Sequence, residues 1–287
     1  MQNSDFPGLY QSADTLSGNA QKYFFGALFS NLLLLVLAAL ASVINYPHWI
    51  AATIQAMLLL GALASSVLLA WKRPEKLWYS GRAVAESIKT MTWRYVSRAE
   101  PFDKGDEDSI SLLISRLRDV VKQNPGVSNQ LISHVSSPQI TDTMTLMRAK
   151  DFPDRRDAYI THRINDQLDW YTRKAKFNSN AAKFFFVGLI AANGIALACS
   201  ASKIANPEFQ YFPTDIFITI AASILTWMQA KRFTELSASY GLTANEIGLI
   251  REEAYRLGED KELSKFVGDA ENAFSREHTQ WEARKDN

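Results

Sequence analysis

Residues 23–71 read YFFGALFSNLLLLVLAALASVINYPHWIAATIQAMLLLGALASSVLLAW and contain no Asp, Glu, Lys or Arg. Only Asn45-Tyr46-Pro47-His48 interrupts the apolar character of this stretch. Each apolar half is close to the roughly 20 residues that a helix needs to cross a bilayer. The stretch therefore predicts a membrane hairpin, with helices at about Phe24–Ile44 and Trp49–Leu69 joined by a short turn.

A second apolar block towards the C-terminus predicts a second hairpin, with helices at about Phe184–Ser202 and Phe212–Ala230. Basic residues border both hairpins, whereas the two turns between helices carry no basic excess. The positive-inside rule then places the N- and C-termini in the cytoplasm. The expected fold is an all-α membrane protein with two parallel transmembrane hairpins, four membrane helices and long cytoplasmic amphipathic helices. The bordering basic residues are Lys22, Lys72, Arg73, Lys76, Arg173, Lys174, Lys176, Lys183, Lys231 and Arg232.

The two halves of the chain resemble each other. Asn19-Ala20-Gln21-Lys22-Tyr23-Phe24-Phe25 matches Asn180-Ala181-Ala182-Lys183-Phe184-Phe185-Phe186, and Lys72-Arg73 matches Lys231-Arg232. Matched residues at matched topological places indicate an internal duplication. Since each repeat crosses the membrane an even number of times, the repeats are expected to be parallel, unlike the inverted repeats of many transporters.

Changes in composition divide the chain into four parts. Between the two hairpins, short helices are predicted near Ser128–Val135 and Thr141–Lys150. One long helix is predicted over Asp154–Phe177, directly before the second hairpin. The four parts are 1–21, a flexible N-terminus; 22–100, the first hairpin and its cytoplasmic helix; 101–154, a helical cytoplasmic connector; and 155–287, the second hairpin with flanking cytoplasmic helices.

The helix predicted after Pro74 carries a stripe of charged and aromatic residues. Arg82, Glu86, Lys89 and Trp93 recur at intervals of three and four residues, so they share one helical face. Ion pairs on a solvated face would account for this stripe, and each pair contributes only tenths of a kcal/mol. The aromatic density near the membrane favours a second interpretation, in which the stripe packs on another helix.

No recognised catalytic or ligand-binding motif occurs in the sequence. The phosphate-binding, dinucleotide-binding, zinc-protease and serine-hydrolase signatures are absent, and the net charge is +1. A single cysteine, Cys199, excludes an intramolecular disulfide, and the four histidines lie far apart. We therefore expect no enzyme activity, no cofactor, no metal site and no nucleic-acid partner.

Mildly polar residues in the predicted membrane helices have two interpretations. They could form hydrogen bonds between packed helices, or some could line a pore built from several chains. Asn31, Asn193 and Ser223 are candidates for lining a pore. Asp215 would add an acidic ring at the outer mouth, although a helix start also favours an anion through the helix dipole.

Three sequence patterns resemble the SLATT domains, the SMODS- and SLOG-associating two-transmembrane effectors of bacteria. The similar residues are Trp78-Tyr79-x-x-Arg82-x-x-x-Glu86-x-x-Lys89-x-x-x-Trp93-Arg94-Tyr95, Arg163-x-x-x-Gln167-x-x-Trp170-Tyr171-x-x-Lys174-x-x-x-Asn178 and Ser275-Arg276-Glu277-His278-x-x-Trp281. The likeness covers about residues 20–100 and 155–285, which suggests a tandem pair. The family-motif residues expected to make helix contacts are Arg82, Glu86, Lys89, Trp93, Trp170, Tyr171, Glu277 and Trp281.

This resemblance implies a pore-forming effector of a bacterial conflict system driven by nucleotide second messengers, acting by abortive infection. The expected partners are membrane lipid, further copies of the chain, and a nucleotide second messenger or a separate sensor protein. No sensor domain is recognisable in the sequence. The alternative is a membrane-tethered scaffold or sensor whose membrane helices only anchor it, and a transporter is the third choice.

Overall fold

The computed structural model describes residues 1–44, 49–206, 208 and 212–283, and only the backbone of residues 44 and 275–283. Over these residues the fold is all-helical, which confirms the predicted class. A short 3-10 turn, Asn3–Asp5, precedes the helices. The helices are α1 Gly8–Ile44, α2 Trp49–Lys72, α3 Pro74–Val96, α4 Asp106–Gln123, α5 Pro125–Ser128, α6 Asp142–Arg148, α7 Phe152–Tyr159, a π-helical segment Ile160–Ile164, α8 Asn165–Ala205, α9 Thr214–Lys231, α10 Phe233–Ala254 and α11 Asp260–Ala283.

Within the described residues, three helical runs are long and apolar enough to cross a membrane. They are Gly8–Val43, Trp49–Lys72 and Phe152–Ala205. The predicted fourth membrane helix corresponds to α9, which has 18 residues, begins next to Asp215 and ends at Lys231. The chain is thus a membrane protein with three long apolar helices, and the arrangement of four membrane helices in two hairpins stays a prediction. The predicted turn Asn45–His48 lies outside the described residues.

The N-terminus differs from the flexible segment that the sequence analysis predicts for residues 1–21. Helix α1 already begins at Gly8, and Phe6, Tyr10, Ala13 and Ser17 are buried. Tyr10, Ala13 and Ser17 lie on one face of α1 at intervals of three and four residues, and Phe6 precedes this face just before the helix begins. The segment folds because this face packs within the protein, and the many polar residues between its members hide the period.

The region after α4 also departs from the prediction. The helix predicted at Ser128–Val135 is wrong, because α5 ends at Ser128 and turns follow it. These turns hold the start of α1: Gly8 N–H donates to Pro138 O at 3.0 Å, and His134 N–H donates to Ser12 Oγ at 2.9 Å. Backbone groups that bind another segment in this way are not free to form helical hydrogen bonds.

The helices predicted at Asp154–Phe177 and Phe184–Ser202 form one continuous run in the structure. Phe152–Ala205 is helical throughout and includes the π-helical turn Ile160–Ile164. No proline interrupts the run after Pro153. The polar residue Asn178 does not end it either, since Asn178 Nδ2 donates to Lys174 O at 2.7 Å within the helix.

The duplication is visible in the backbone. Arg73 and Arg232, the matched arginines after α2 and α9, both adopt the left-handed conformation, with φ of 42° and 51°. Each backbone N–H closes the preceding helix: Arg73 N–H donates to Leu69 O at 3.1 Å and Arg232 N–H donates to Met228 O at 2.8 Å. A non-glycine residue in this conformation is uncommon, so its recurrence at both matched positions supports the internal repeat.

The chain forms two compact units. One unit contains residues 1–21, 74–170 and 243–287, and the other contains residues 22–73 and 171–242. In the first unit α11 packs along α3, where Arg94 Nη2 donates to Gly268 O at 2.9 Å and to Asn272 Oδ1 at 2.7 Å.

In the second unit, α10 lies beside α8. Ser237 Oγ donates to Ala175 O at 3.1 Å, and the rings of Phe185 and Phe233 stack with centroids 5.4 Å apart. Helix α9 contacts α1, where the Phe25 and Trp227 rings lie 5.8 Å apart.

Candidate functional site

Four aromatic rings form a continuous series through the first unit. The Phe6 and Trp93 ring centroids lie 6.3 Å apart, Trp93 and Tyr159 lie 5.7 Å apart, and Tyr159 and Phe266 lie 6.4 Å apart. All three pairs are edge-to-face, a favourable geometry for aromatic rings. The series joins the segment before α1 to α3, α7 and α11, so Trp93 is the point where these elements meet.

A buried ion pair lies beside this series. Arg163 donates to Glu271 through two hydrogen bonds, Nε to Oε1 at 2.8 Å and Nη2 to Oε2 at 2.7 Å. The Tyr159 hydroxyl donates to the same Oε1 at 3.0 Å. Glu271 has no exposed surface and Arg163 only 1%. We call Phe6, Trp93, Tyr159, Arg163, Phe266 and Glu271 the Trp93 cluster.

The local helical structure positions Arg163 and Glu271, the two charged members of the Trp93 cluster. Arg163 lies in the π-helical turn Ile160–Ile164, which shifts the residues that follow it around the helix. Single π-helical turns are frequent at functional sites. On α11, Val267, Glu271 and Phe274 are buried at intervals of four and three residues, so the carboxylate faces the core.

The structure brings the predicted stripe of α3 to this cluster. Trp93, the last residue of the stripe, is the centre of the cluster. The Lys89 ammonium lies 6.0 Å from the centroid of the Phe6 ring. Burial lowers the pKa of Lys89 below its ordinary value, and repulsion from Arg163 lowers it further. One turn earlier, Arg82 pairs with Glu86 at 3.1 Å. The stripe thus makes inter-helix contacts within the folded chain.

The remaining predicted contact residues fall in several places. The Arg82 guanidinium lies 6.0 Å from the centroid of the Trp170 ring, so α3 meets the start of α8 in the first unit. Tyr171 belongs to the second unit, where its ring contacts Tyr240 at 5.5 Å. The side chains of Glu277 and Trp281 lie outside the described residues.

The four candidates for lining a pore have different surroundings. Asn31 Nδ2 donates to Ala62 O at 2.7 Å and to Ser66 Oγ at 2.8 Å, so it bridges α1 and α2. Asn193 is exposed, and among the described residues its amide donates only within its own helix, to Leu189 O at 2.9 Å. Asp215 is exposed in the first turn of α9, and Ser223 is half-buried. Within the described part of the chain, no hydrogen bond joins any two of these four residues.

Several members of the Trp93 cluster were not predicted from the sequence. The apolar residues Phe6, Tyr10 and Ala13 are spaced by four and three positions, and this spacing was a signal for the burial of Phe6 although Phe6 itself precedes α1. The pairing of Arg163 with Glu271 had no sequence signal, because 108 positions separate the two residues. Across the described residues, no group of three or more His, Cys, Asp and Glu side chains is placed to hold a metal ion.

Two family models match the chain in succession. The model described as SMODS and SLOG-associating 2TM effector domain 3 matches residues 7–156, and effector domain 1 of the same series matches residues 159–281. The chain belongs to the SLATT family. It is a tandem of two SLATT domains, as the resemblance implied. No curated protein and no solved structure matches the chain.

The Trp93 cluster contains residues of both SLATT domains. Trp93 lies in the first SLATT domain, whereas Tyr159, Arg163, Phe266 and Glu271 lie in the second. The cluster therefore joins the two SLATT domains of one chain. Two of its members, Tyr159 and Arg163, lie in the continuous helical run Phe152–Ala205, which also contains the second domain's first apolar span.

Proposed function

We propose that this SLATT protein is a pore-forming effector of a bacterial conflict system, which permeabilises the inner membrane and causes abortive infection. The observation that carries the proposal is the match of two successive segments to two-transmembrane effector domains. The three long apolar helices support a membrane site of action. In this proposal α9 is the fourth membrane helix, the hairpins are parallel, and both termini are cytoplasmic.

Oligomerisation is part of the proposal. The apolar helices of one chain enclose at most a narrow path, so a conducting pore requires several copies. Asn193 supports this step, because it is exposed on an otherwise apolar part of α8 and has no partner outside its own helix in the described residues. A polar side chain in hydrocarbon gains from a contact with another helix or with water in a pore.

The proposed trigger is a nucleotide second messenger or a separate sensor protein, and no catalytic step is involved. The Trp93 cluster supports a regulatory coupling, because it joins both SLATT domains and two of its members, Tyr159 and Arg163, lie on the helical run Phe152–Ala205, which continues into an apolar span. A ligand that binds one arrangement of this cluster better than another would shift the population of open and closed states.

Leakage from liposomes tests the proposal. The purified protein in liposomes loaded with a fluorescent dye is expected to release the dye when a candidate cyclic nucleotide is added. Expression in bacteria should correspondingly collapse the membrane potential. N193L is expected to reduce leakage, whereas N180L, which changes an exposed asparagine near the basic border of the same helix, should leave it unchanged. No leakage and no conductance under any trigger would reject the pore.

A membrane-tethered scaffold is the alternative function, and the environment of Asn31 favours it. The Asn31 amide is used in packing α1 against α2, as expected of an anchor. Replacing the apolar parts of both hairpins with unrelated apolar helices separates the two functions. A scaffold would keep its cellular activity after this exchange, whereas a pore-forming effector would lose it.

A further inference from the structure

Two hydrogen-bond donors of the Trp93 cluster are buried without a partner. Among the described residues, neither the Trp93 Nε1–H nor the Arg163 Nη1 group has an acceptor. Each of these two residues is only 1% exposed. Leaving a buried donor unpaired is unfavourable, and more so when the donor is charged, so two such donors in one cluster indicate a missing acceptor.

The charges around these donors are unbalanced. Glu271 neutralises Arg163, and Glu86 pairs with Arg82. Lys89 forms no ion pair with any carboxylate in the described part of the chain, although Glu86 and Asp166 act on it at longer range. Lys89, which adjoins the Trp93 cluster at the Phe6 ring, is thus a cation that no close carboxylate among the described residues neutralises, and the missing acceptor is expected to be an anion.

The Lys89 ammonium, the Trp93 Nε1–H and the Arg163 Nη1 group are three donors whose residues have neighbours in common. Trp93 and Lys89 both contact the ring of Phe6. Trp93 also contacts the ring of Tyr159, whose hydroxyl shares the Glu271 Oε1 atom with Arg163. An indole N–H, an ammonium and a free guanidinium N–H can together bind one oxyanion through charge-assisted hydrogen bonds.

We propose that Lys89, Trp93 and Arg163 form a binding site for one phosphate group, capped by Phe6. Phosphate fits because its oxygens accept several hydrogen bonds at once and its negative charge balances the free ammonium. The group could be inorganic phosphate, the phosphate of a nucleotide or that of a lipid headgroup, and all three present the same chemistry to these donors. Binding of phosphate at this site does not depend on whether the membrane helices conduct.

If phosphate binds at this site, the NMR resonance of the Trp93 indole N–H should shift. The full chain in phosphatidylcholine nanodiscs is titrated with inorganic phosphate and with adenosine 5′-monophosphate, and the indole N–H resonances are followed by ¹⁵N–¹H NMR. The Trp93 resonance is identified by its absence from W93F. A parallel sample in phosphatidylglycerol nanodiscs tests the lipid headgroup. A saturable shift of the Trp93 resonance in either titration, or a different position of this resonance in phosphatidylglycerol than in phosphatidylcholine nanodiscs, supports the site and identifies the source of the phosphate.

Substitution of Lys89 provides the matched comparison. K89M is expected to weaken the apparent affinity by about tenfold or more, since a charge-assisted hydrogen bond is lost. K122M, which removes an exposed lysine on α4, should leave the affinity within about twofold. An unmoved Trp93 resonance in all three arms, or an equal effect of K89M and K122M, would overturn the site. Because these readouts measure binding, a chain that binds phosphate but releases no dye refutes only the pore.

Discussion

Arg163 and Glu271 form a bidentate ion pair across 108 positions of the chain, and both side chains are buried. The pair attaches α11, the last helix of the second SLATT domain, to the helical run that leads into α8. Because α11 also packs along α3 of the first domain, this pair supports the junction of the two domains. Its loss should therefore weaken the whole first unit.

We expect E271A to destabilise the protein by about 3–5 kcal/mol, because it leaves the Arg163 guanidinium charged, buried and without a counterion. The double variant R163M/E271L should recover most of this loss, since no uncompensated charge remains. Thermal unfolding in detergent measures both effects. D269A is the control, since Asp269 is exposed on the same helix and should change stability by about 0.5 kcal/mol or less.

Arg148 is expected to stabilise the turn between α3 and α4. R148K should cost at least about 2 kcal/mol, because an ammonium cannot reproduce the planar five-donor geometry of the guanidinium and several buried acceptors lose their donor. Hydrogen exchange of residues 97–109 reports this loss directly, and R116K, at an exposed site on α4, should leave it unchanged. The acceptors of Arg148 are Tyr95 O at 2.6 Å, Phe102 O at 3.0 Å, Lys104 O at 3.0 Å, Ser109 Oγ at 3.0 Å and Asp106 Oδ1 at 2.8 Å.

The start of α1 depends on a glycine. A Cβ atom at Gly8 would lie 2.6 Å from His134 O and 2.8 Å from Ser137 O, so G8A should displace the N-terminal segment at a cost of about 1–3 kcal/mol. A Cβ at Gly18 would meet no atom within 4 Å, so G18A should instead stabilise α1 by about 1 kcal/mol. Limited proteolysis and thermal unfolding compare the two variants. Equal behaviour would show that the segment is not docked as the structure has it.

The two asparagines in the apolar helices should respond differently to substitution. N31A should weaken the packing of α1 on α2 by about 0.6–1.7 kcal/mol, the range of hydrogen bonds between membrane helices. N193A removes only a bond within its own helix, so unfolding in lipid nanodiscs should be nearly unchanged. Its effect should be on self-association, measured by the oligomer mass in native mass spectrometry.

Lys89 should make stability depend on pH. Its folded-state pKa is below its ordinary value of 10.5, so between these two values the unfolded chain binds more protons than the folded chain. The contribution of Lys89 to stability therefore rises with pH across this window, reaching its maximum near pH 10.5. The melting temperature of wild type relative to K89M should increase from pH 7 towards pH 10.5 in phosphate-free buffer. A constant difference over that range would contradict this assignment.

Much of the architecture could be predicted from neighbouring residues. The uncharged stretch 23–71 was enough to indicate apolar helices, because membrane insertion depends on the composition of a continuous segment. The matched Lys72-Arg73 and Lys231-Arg232 identified the repeat, which the family models and the two left-handed arginines support. The stripe that ends at Trp93 indicated a packing face, although the sequence could not say what packs on it.

The sequence by itself determined the helical class and the apolar spans, since these depend on residues within one or two helical turns of each other. It also determined the tandem organisation, because a repeat is recognised by comparing two segments of the sequence without knowing how they pack. Only the tertiary structure decided which distant groups meet. Phe6 and Arg163 reach the Trp93 cluster, and Glu271 pairs with Arg163, because four separate segments pack at one place. Local patterns report which face of a helix is buried, whereas the partner of a buried charge depends on contacts between residues more than a hundred positions apart.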